Sequence, residues 1–215
     1  MTNFTTLYKS VEKILWGYIF ILFHLKINSF DLLPDFVGCI LIALGIYQAA
    51  AELKHYSFLF PFSIFNAAYS IVSLAVSFIA AESNVILHSL SIISSVVTIA
   101  FNFILLTDLS LIAVRYQSPD QAIDKKIITA RNIFTGVYAT LAASAMAGIL
   151  TLLTDNDVFA YVSMGIGFIS LFMFIVVLII LLLALSKLMK LIKSLAEQKS
   201  ISFTPFTAEE TDENQ

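Results

Sequence analysis

The chain of 215 residues is 59% hydrophobic and only 13% charged, with a mean hydropathy of +0.92 and a formal net charge of -3 at pH 7. A soluble domain is about 45–50% apolar and 25% charged, so this composition excludes a solvated globule and indicates an integral membrane protein. The charges gather in loops and tails and leave no basic stripe for nucleic acid, and the single cysteine, Cys39, excludes a disulfide framework or a thiol-built zinc site.

In hydrocarbon a backbone must satisfy its own hydrogen bonds, so a bilayer core of about 30 Å needs roughly 20 apolar residues in a helix. Six segments meet or approach that requirement: 11–27, 33–52, 57–81, 84–114, 132–154 and 158–186. The first follows Lys9 and Lys13 as a signal peptide would, but no A-x-A cleavage site succeeds it, so an uncleaved helix is expected, short or partly interfacial. Every Lys and Arg except Lys26 lies before span 1, after span 6, or in the loops after spans 2 and 4. By the positive-inside rule both termini are cytoplasmic, and the outer loops carry Asp31, Asp35, Glu82, Asp155 and Asp157. The expected fold is therefore an all-α polytopic bundle of about six transmembrane helices over residues 1–195, followed by a disordered acidic cytoplasmic tail over 196–215.

Within "NSFDLLPDFVGCILIALGI", residues 28–46, Asp31 and Asp35 bracket Pro34 at the threshold of span 2. A proline lacks the amide hydrogen that a first helical turn leaves unused, and a carboxylate there faces the positive end of the helix dipole, so the pattern reads as a helix start. Together with His24, and with His88 at the outer end of span 4, these acids also form a candidate outer-face site for a cation or protons. No histidines stand at i, i+4 spacing, and no metal or other cofactor is assigned. Leu33, Pro34, Asp35, Phe36 and Gly38 resemble an L-P-D-F-x-G element that opens a span in uncharacterised small multi-pass membrane proteins of Gram-positive bacteria. The resemblance covers about twenty residues and implies a bacterial plasma membrane but no activity.

Spans 3 and 4 carry the most specific pattern. Ser63, Asn66, Ser70, Ser73 and Ser77 recur at steps of three and four, and His88, Ser91, Ser95, Thr98 and Asn102 do the same, so each set occupies one helix face. Joined by a short turn around Glu82, the spans make an antiparallel hairpin in which Ser77 falls opposite His88, Ser73 opposite Ser91, Ser70 opposite Ser95, Asn66 opposite Thr98, and Ser63 opposite Asn102. Such a seam packs as a serine zipper, in which small hydroxylated residues let helices approach and bond across; its alternative use is a hydrated path with Asn66 and Asn102 as polar contacts. Asp108 is an acid inside span 4, a functional candidate by default, within reach of Lys or Arg at the inner headgroup layer.

The remaining elements read as packing and capping. "SPDQ", residues 118–121, is a helix start capped by Ser118 and continued through Lys125, Lys126 and Arg131 into span 5. In span 5, Ala139, Ala143 and Ala147 follow the small-xxx-small spacing of a close helix contact. Span 6 is apolar all round, and its continuation, with Lys187, Lys190 and Lys193 among Leu188, Leu191, Ile192 and Leu195, suits an anionic inner leaflet.

No H-E-x-x-H, G-x-S-x-G or glycine-rich phosphate loop is present, and no nucleophile, base and orienting group converge, so no enzyme is expected. The first expectation is a non-enzymatic accessory or interaction protein of the bacterial plasma membrane, meeting the lipid bilayer and a membrane-protein partner or a second copy. The alternative is a transporter of a small solute or ion through the seam between helices 3 and 4.

Overall fold

A computed structural model describes residues 3–22, 26–27, 30–31, 35–79, 85–154 and 157–201. Its elements are α1 (Phe4–Leu22), β1 (Lys26–Ile27), β2 (Phe30–Asp31), α2 (Asp35–Gln48), α3 (Tyr56–Ile79), α4 (Val85–Tyr116), α5 (Ile123–Thr154) and α6 (Asp157–Ile201). The fold is all-helical apart from the β1–β2 ribbon, an antiparallel pair with Lys26 opposite Asp31 and Ile27 opposite Phe30. Among the described residues three stretches are long and apolar enough to cross a membrane: Ile92–Tyr116, Ile123–Thr151 and Val158–Gln198. The apolar stretches Phe36–Gln48 and Tyr56–Val72 are shorter. With 14 residues at 1.5 Å each, α2 is about 21 Å long and falls short of a 30 Å hydrocarbon core.

The helix ends show where local chemistry departs from hydropathy. α1 begins at Phe4 rather than near residue 11, because Asn3 Oδ1 accepts the Thr6 amide at 3.2 Å and caps the first turn. Leu7, Val11, Ile14, Leu15 and Tyr18 then form a buried stripe at helical spacing, while Lys9 stays exposed. α1 closes at Leu22, so residues 26–27, expected in span 1, instead form β1, and Asp31 lies in β2 rather than at the threshold of a helix. α5 starts at Ile123 rather than at "SPDQ". Those residues make a turn closed by the Gln121 amide on the Ser118 carbonyl, and Ala122 takes a left-handed φ of 46°. The cap is Gln117, whose Oε1 accepts the Ile123 and Asp124 amides at 2.8 and 3.2 Å while its Nε2 donates to Asp124 Oδ1.

Helices pack on their neighbours in chain order, and α6 returns to α1, so the bundle closes as a ring. α1 and α2 approach closely. A Cβ at Gly17 would lie 2.7 Å from the Gly38 carbonyl oxygen, one at Gly38 would lie 2.6 Å from that of Gly17, and one at Gly45 would lie 2.8 Å from that of Ser10. Ser10 Oγ also donates to the Gly45 carbonyl at 2.7 Å. Ser10 and Gly17 on α1, and Gly38 and Gly45 on α2, are each two helical turns apart on one face, so two backbones meet along a strip of small residues.

α5 and α6 meet differently from the alanine expectation. Ala139 and Ala143 are exposed and only Ala147 is buried; the face turned to α6 carries hydroxyls, with Thr140 Oγ1 2.7 Å from Ser170 Oγ and Ser144 Oγ 2.9 Å from the Ser163 carbonyl. In apolar surroundings these cross-helix bonds favour the face that has donors over the face that merely is small. Along α6 the first half is largely exposed, with Tyr161, Phe168 and Phe172 outward, as a lipid-facing surface requires. Its second half is amphipathic: Leu181, Ala184, Leu185, Leu188 and Ile192 are fully buried in the cluster that includes Leu7, Val11 and Ile14, while Lys187, Lys190 and Lys193 are among the residues that face outward.

The glycine contacts are directly testable. Gly17→Ala and Gly38→Ala are expected to lower unfolding stability in detergent by about 1–3 kcal/mol each, because a methyl group has no space against a carbonyl oxygen. Gly136→Ala, where a Cβ meets nothing within 4 Å, is expected to leave stability unchanged or raise it by up to about 1 kcal/mol through helix propensity. Thermal unfolding of the three variants side by side checks the contrast.

Candidate functional site

The face of α3 that carries Ser63, Asn66 and Ser70 and the face of α4 that carries Thr98 and Asn102 do turn towards each other. Thr98 Oγ1 donates to Asn66 Oδ1 at 3.3 Å, the pairing expected for an antiparallel hairpin. Two serines of the seam also bond within α3. Ser63 Oγ donates to the Phe60 carbonyl at 2.7 Å and Ser70 Oγ to the Asn66 carbonyl at 3.0 Å, each folding back on its own helix. Among the described residues α3 and α4 touch less than the other neighbours in the ring, and a cavity of about 190 Å³ lies beside them.

Other helices complete its wall. Tyr18 of α1 donates to Asn102 Oδ1 at 2.6 Å, and Asn102 Nδ2 donates to the Thr98 carbonyl at 3.0 Å. Because a carbonyl only accepts, Asn102 must turn its Nδ2 towards Thr98 and its Oδ1 towards Tyr18. Cys39 of α2 stands with its Sγ 3.7 Å from Ser70 Oγ. The opposite side is aromatic: Phe134 and Tyr138 of α5 stack at 6.1 Å with planes 15° apart, and Phe174 of α6 meets Phe134 and Tyr138 edge-on at 5.8 and 6.0 Å. Among the described residues that line it there is no Asp, Glu, Lys or Arg, while Asn66 and Asn102 are 9% and 5% exposed. This described lining is polar along α3 and α4 and aromatic along α5 and α6.

Asp108 lies away from this cavity, and its partner is neither Lys nor Arg. Its side chain is fully buried; Oδ2 accepts the backbone amide of His55 and Oδ1 pairs with His55 Nδ1, both at 2.8 Å. His55 immediately precedes α3 and its carbonyl accepts the Leu59 amide, so Asp108 takes the amide that a capping-box side chain would take and does so from another helix. Glu52 adds an ion pair with Arg115 at 2.9 Å. Together they fasten the α2–α3 turn to the C-terminal part of α4.

The other expected site residues divide by position. Ser95 is half-buried on α4. The side chains of Ser73, Ser77, His88 and Ser91 lie outside the described residues, as do His24 and the side chains of Asp31 and Asp35, and with them the whole candidate outer-face site. Among the described residues no group of three or more His, Cys, Asp or Glu is placed to hold a metal. Tyr18, Cys39, His55 and Tyr138 enter the two polar regions without any local sequence signal; their partners are 31 to 84 residues distant where hydrogen bonds join them. No known protein-family model, curated protein or solved structure matches the chain.

Asp108→Ala is expected to lower stability by about 1–3 kcal/mol, since it leaves a buried amide and imidazole without their acceptor. Arg115→Ala removes a pair whose arginine is 56% exposed and is expected to cost less than about 1 kcal/mol. Unfolding in detergent ranks the two; equal losses would contradict the burial difference.

Proposed function

We propose that this chain is a six-helix multi-pass protein of a bacterial plasma membrane, with both termini cytoplasmic, that binds a small uncharged solute in the α3–α4 cavity as a transporter of that solute. The observation that carries this reading is the cavity itself. A membrane bundle gains from filling its interior with apolar side chains or with closed hydrogen bonds. Here two asparagines, a threonine and serines instead line open space, and polar groups at membrane depth mark solute paths. The loose α3–α4 contact gives the ring one joint at which it can open. The location of Arg115, Lys125, Lys126 and the α6 lysines relative to the spans supports the cytoplasmic assignment of the termini.

An accessory role, the first expectation from composition, predicts a stoichiometric protein partner and leaves the polar lining without a purpose. The cavity gives the chain a ligand of its own, and the preference therefore passes to solute binding.

Cys39 lines the cavity, so the native protein carries its own reporter. In membranes, Cys39 is expected to react with a small methanethiosulfonate reagent, and Asn66→Leu, which fills the space, is expected to slow that reaction. A thiol inert until the protein is denatured would contradict an accessible cavity and favour dry packing with an accessory role.

A further inference from the structure

The hydrogen bonds in the cavity wall have a direction, and that direction constrains what can bind. Tyr18 gives its proton to Asn102 Oδ1, Asn102 Nδ2 gives to the Thr98 carbonyl, and Thr98 Oγ1 gives to Asn66 Oδ1. Asn102 Oδ1, one of the two Asn102 Nδ2 protons and the acceptor end of Asn66 are thereby engaged. The relay ends on Asn66 Nδ2, which is a donor. Ser63 has already directed its proton to the Phe60 carbonyl and so offers the cavity lone pairs alone. Three residues apart on α3, Asn66 and Ser63 thus present one donor and one acceptor on the same helix face.

A lone carbonyl or hydroxyl would satisfy one of these groups, whereas an amide edge, with N–H beside C=O, satisfies both. The stacked Phe134 and Tyr138 rings with Phe174 edge-on favour a flat ring as the body of the ligand. The described lining residues include no charged side chain, so among them an ion would be desolvated without a counter-charge. The cavity of about 190 Å³ is somewhat larger than the roughly 150 Å³ space that takes benzene, which leaves room for a six-membered ring with small substituents. From these constraints we infer that the ligand is a neutral planar ring bearing a lactam or imide edge, the chemistry of a pyrimidine base. This rests on the cavity being an accessible solute site.

The test uses the full-length protein in detergent micelles, with uracil as the probe and protection of Cys39 from N-ethylmaleimide as the readout. Uracil is expected to slow alkylation saturably, by about tenfold or more over toluene, which has a ring without the edge, and over benzoate, which has a ring with a charge. Asn66→Ala is expected to abolish protection while alkylation without uracil proceeds at least as fast as in the unaltered protein, and Ser63→Ala is expected to weaken protection. Alkylation that uracil leaves unchanged would overturn the ligand assignment while the solute-site reading stands. Equal protection by toluene, or protection that survives Asn66→Ala, would also overturn the assignment. A Cys39 that does not react at all would overturn both.

Discussion

The contact of α1 with α2 at Gly17 and Gly38 sets the depth at which α1 enters the bundle, and with it the position of Tyr18. With carbonyl oxygens where side chains would otherwise stand, the two helices lie closer than any pair bearing larger residues could. Tyr18, the next residue along α1, then reaches Asn102 across the ring at 2.6 Å. That bond orients Asn102, which engages the Thr98 carbonyl, while the Thr98 hydroxyl holds Asn66 of α3. A chain of neutral hydrogen bonds thus runs from α1 through α4 to α3.

α3 is held unevenly as a consequence. At its first turn the buried Asp108 carboxylate grips the His55 amide and imidazole, and Glu52 with Arg115 reinforces the same end. Further along, Thr98 and Asn66 form a cross-helix link, and beside it Ser63 and Ser70 bond to their own backbone. α4, α5 and α6 pack extensively on one another in sequence. The polar space therefore lies between α3 and the wall that α4, α5 and α6 form.

How much of this is legible in the sequence follows from which forces are local. The long apolar runs place α3, α4 and α6 closely, because a backbone in hydrocarbon has few alternatives to a helix. α1 is harder: Lys9, Glu12 and Lys13 depress its early hydropathy, yet a buried stripe from Leu7 to Tyr18 suffices to hold it. The three-and-four spacing identifies the polar faces of α3 and α4 and the Asn66–Thr98 pair. It does not foresee that Ser63 and Ser70 prefer carbonyls one turn back, a competition that spacing alone cannot resolve. The seven-residue spacing of Ser10 with Gly17 and of Gly38 with Gly45 is a readable signal for α1–α2 contact. Tyr18 and Asn102, 84 residues apart, carry no such signal, and neither do His55 and Asp108; only the closed ring brings them together.

The most direct test of this account is a double-mutant cycle on Tyr18→Phe and Asn102→Ala, read as unfolding free energy of the full-length protein in detergent. A coupling of about 0.6–2 kcal/mol is expected for a bond between helices in apolar surroundings. Additive losses, with no coupling, would contradict the hydrogen-bond relay and with it the ordered polar wall of the cavity.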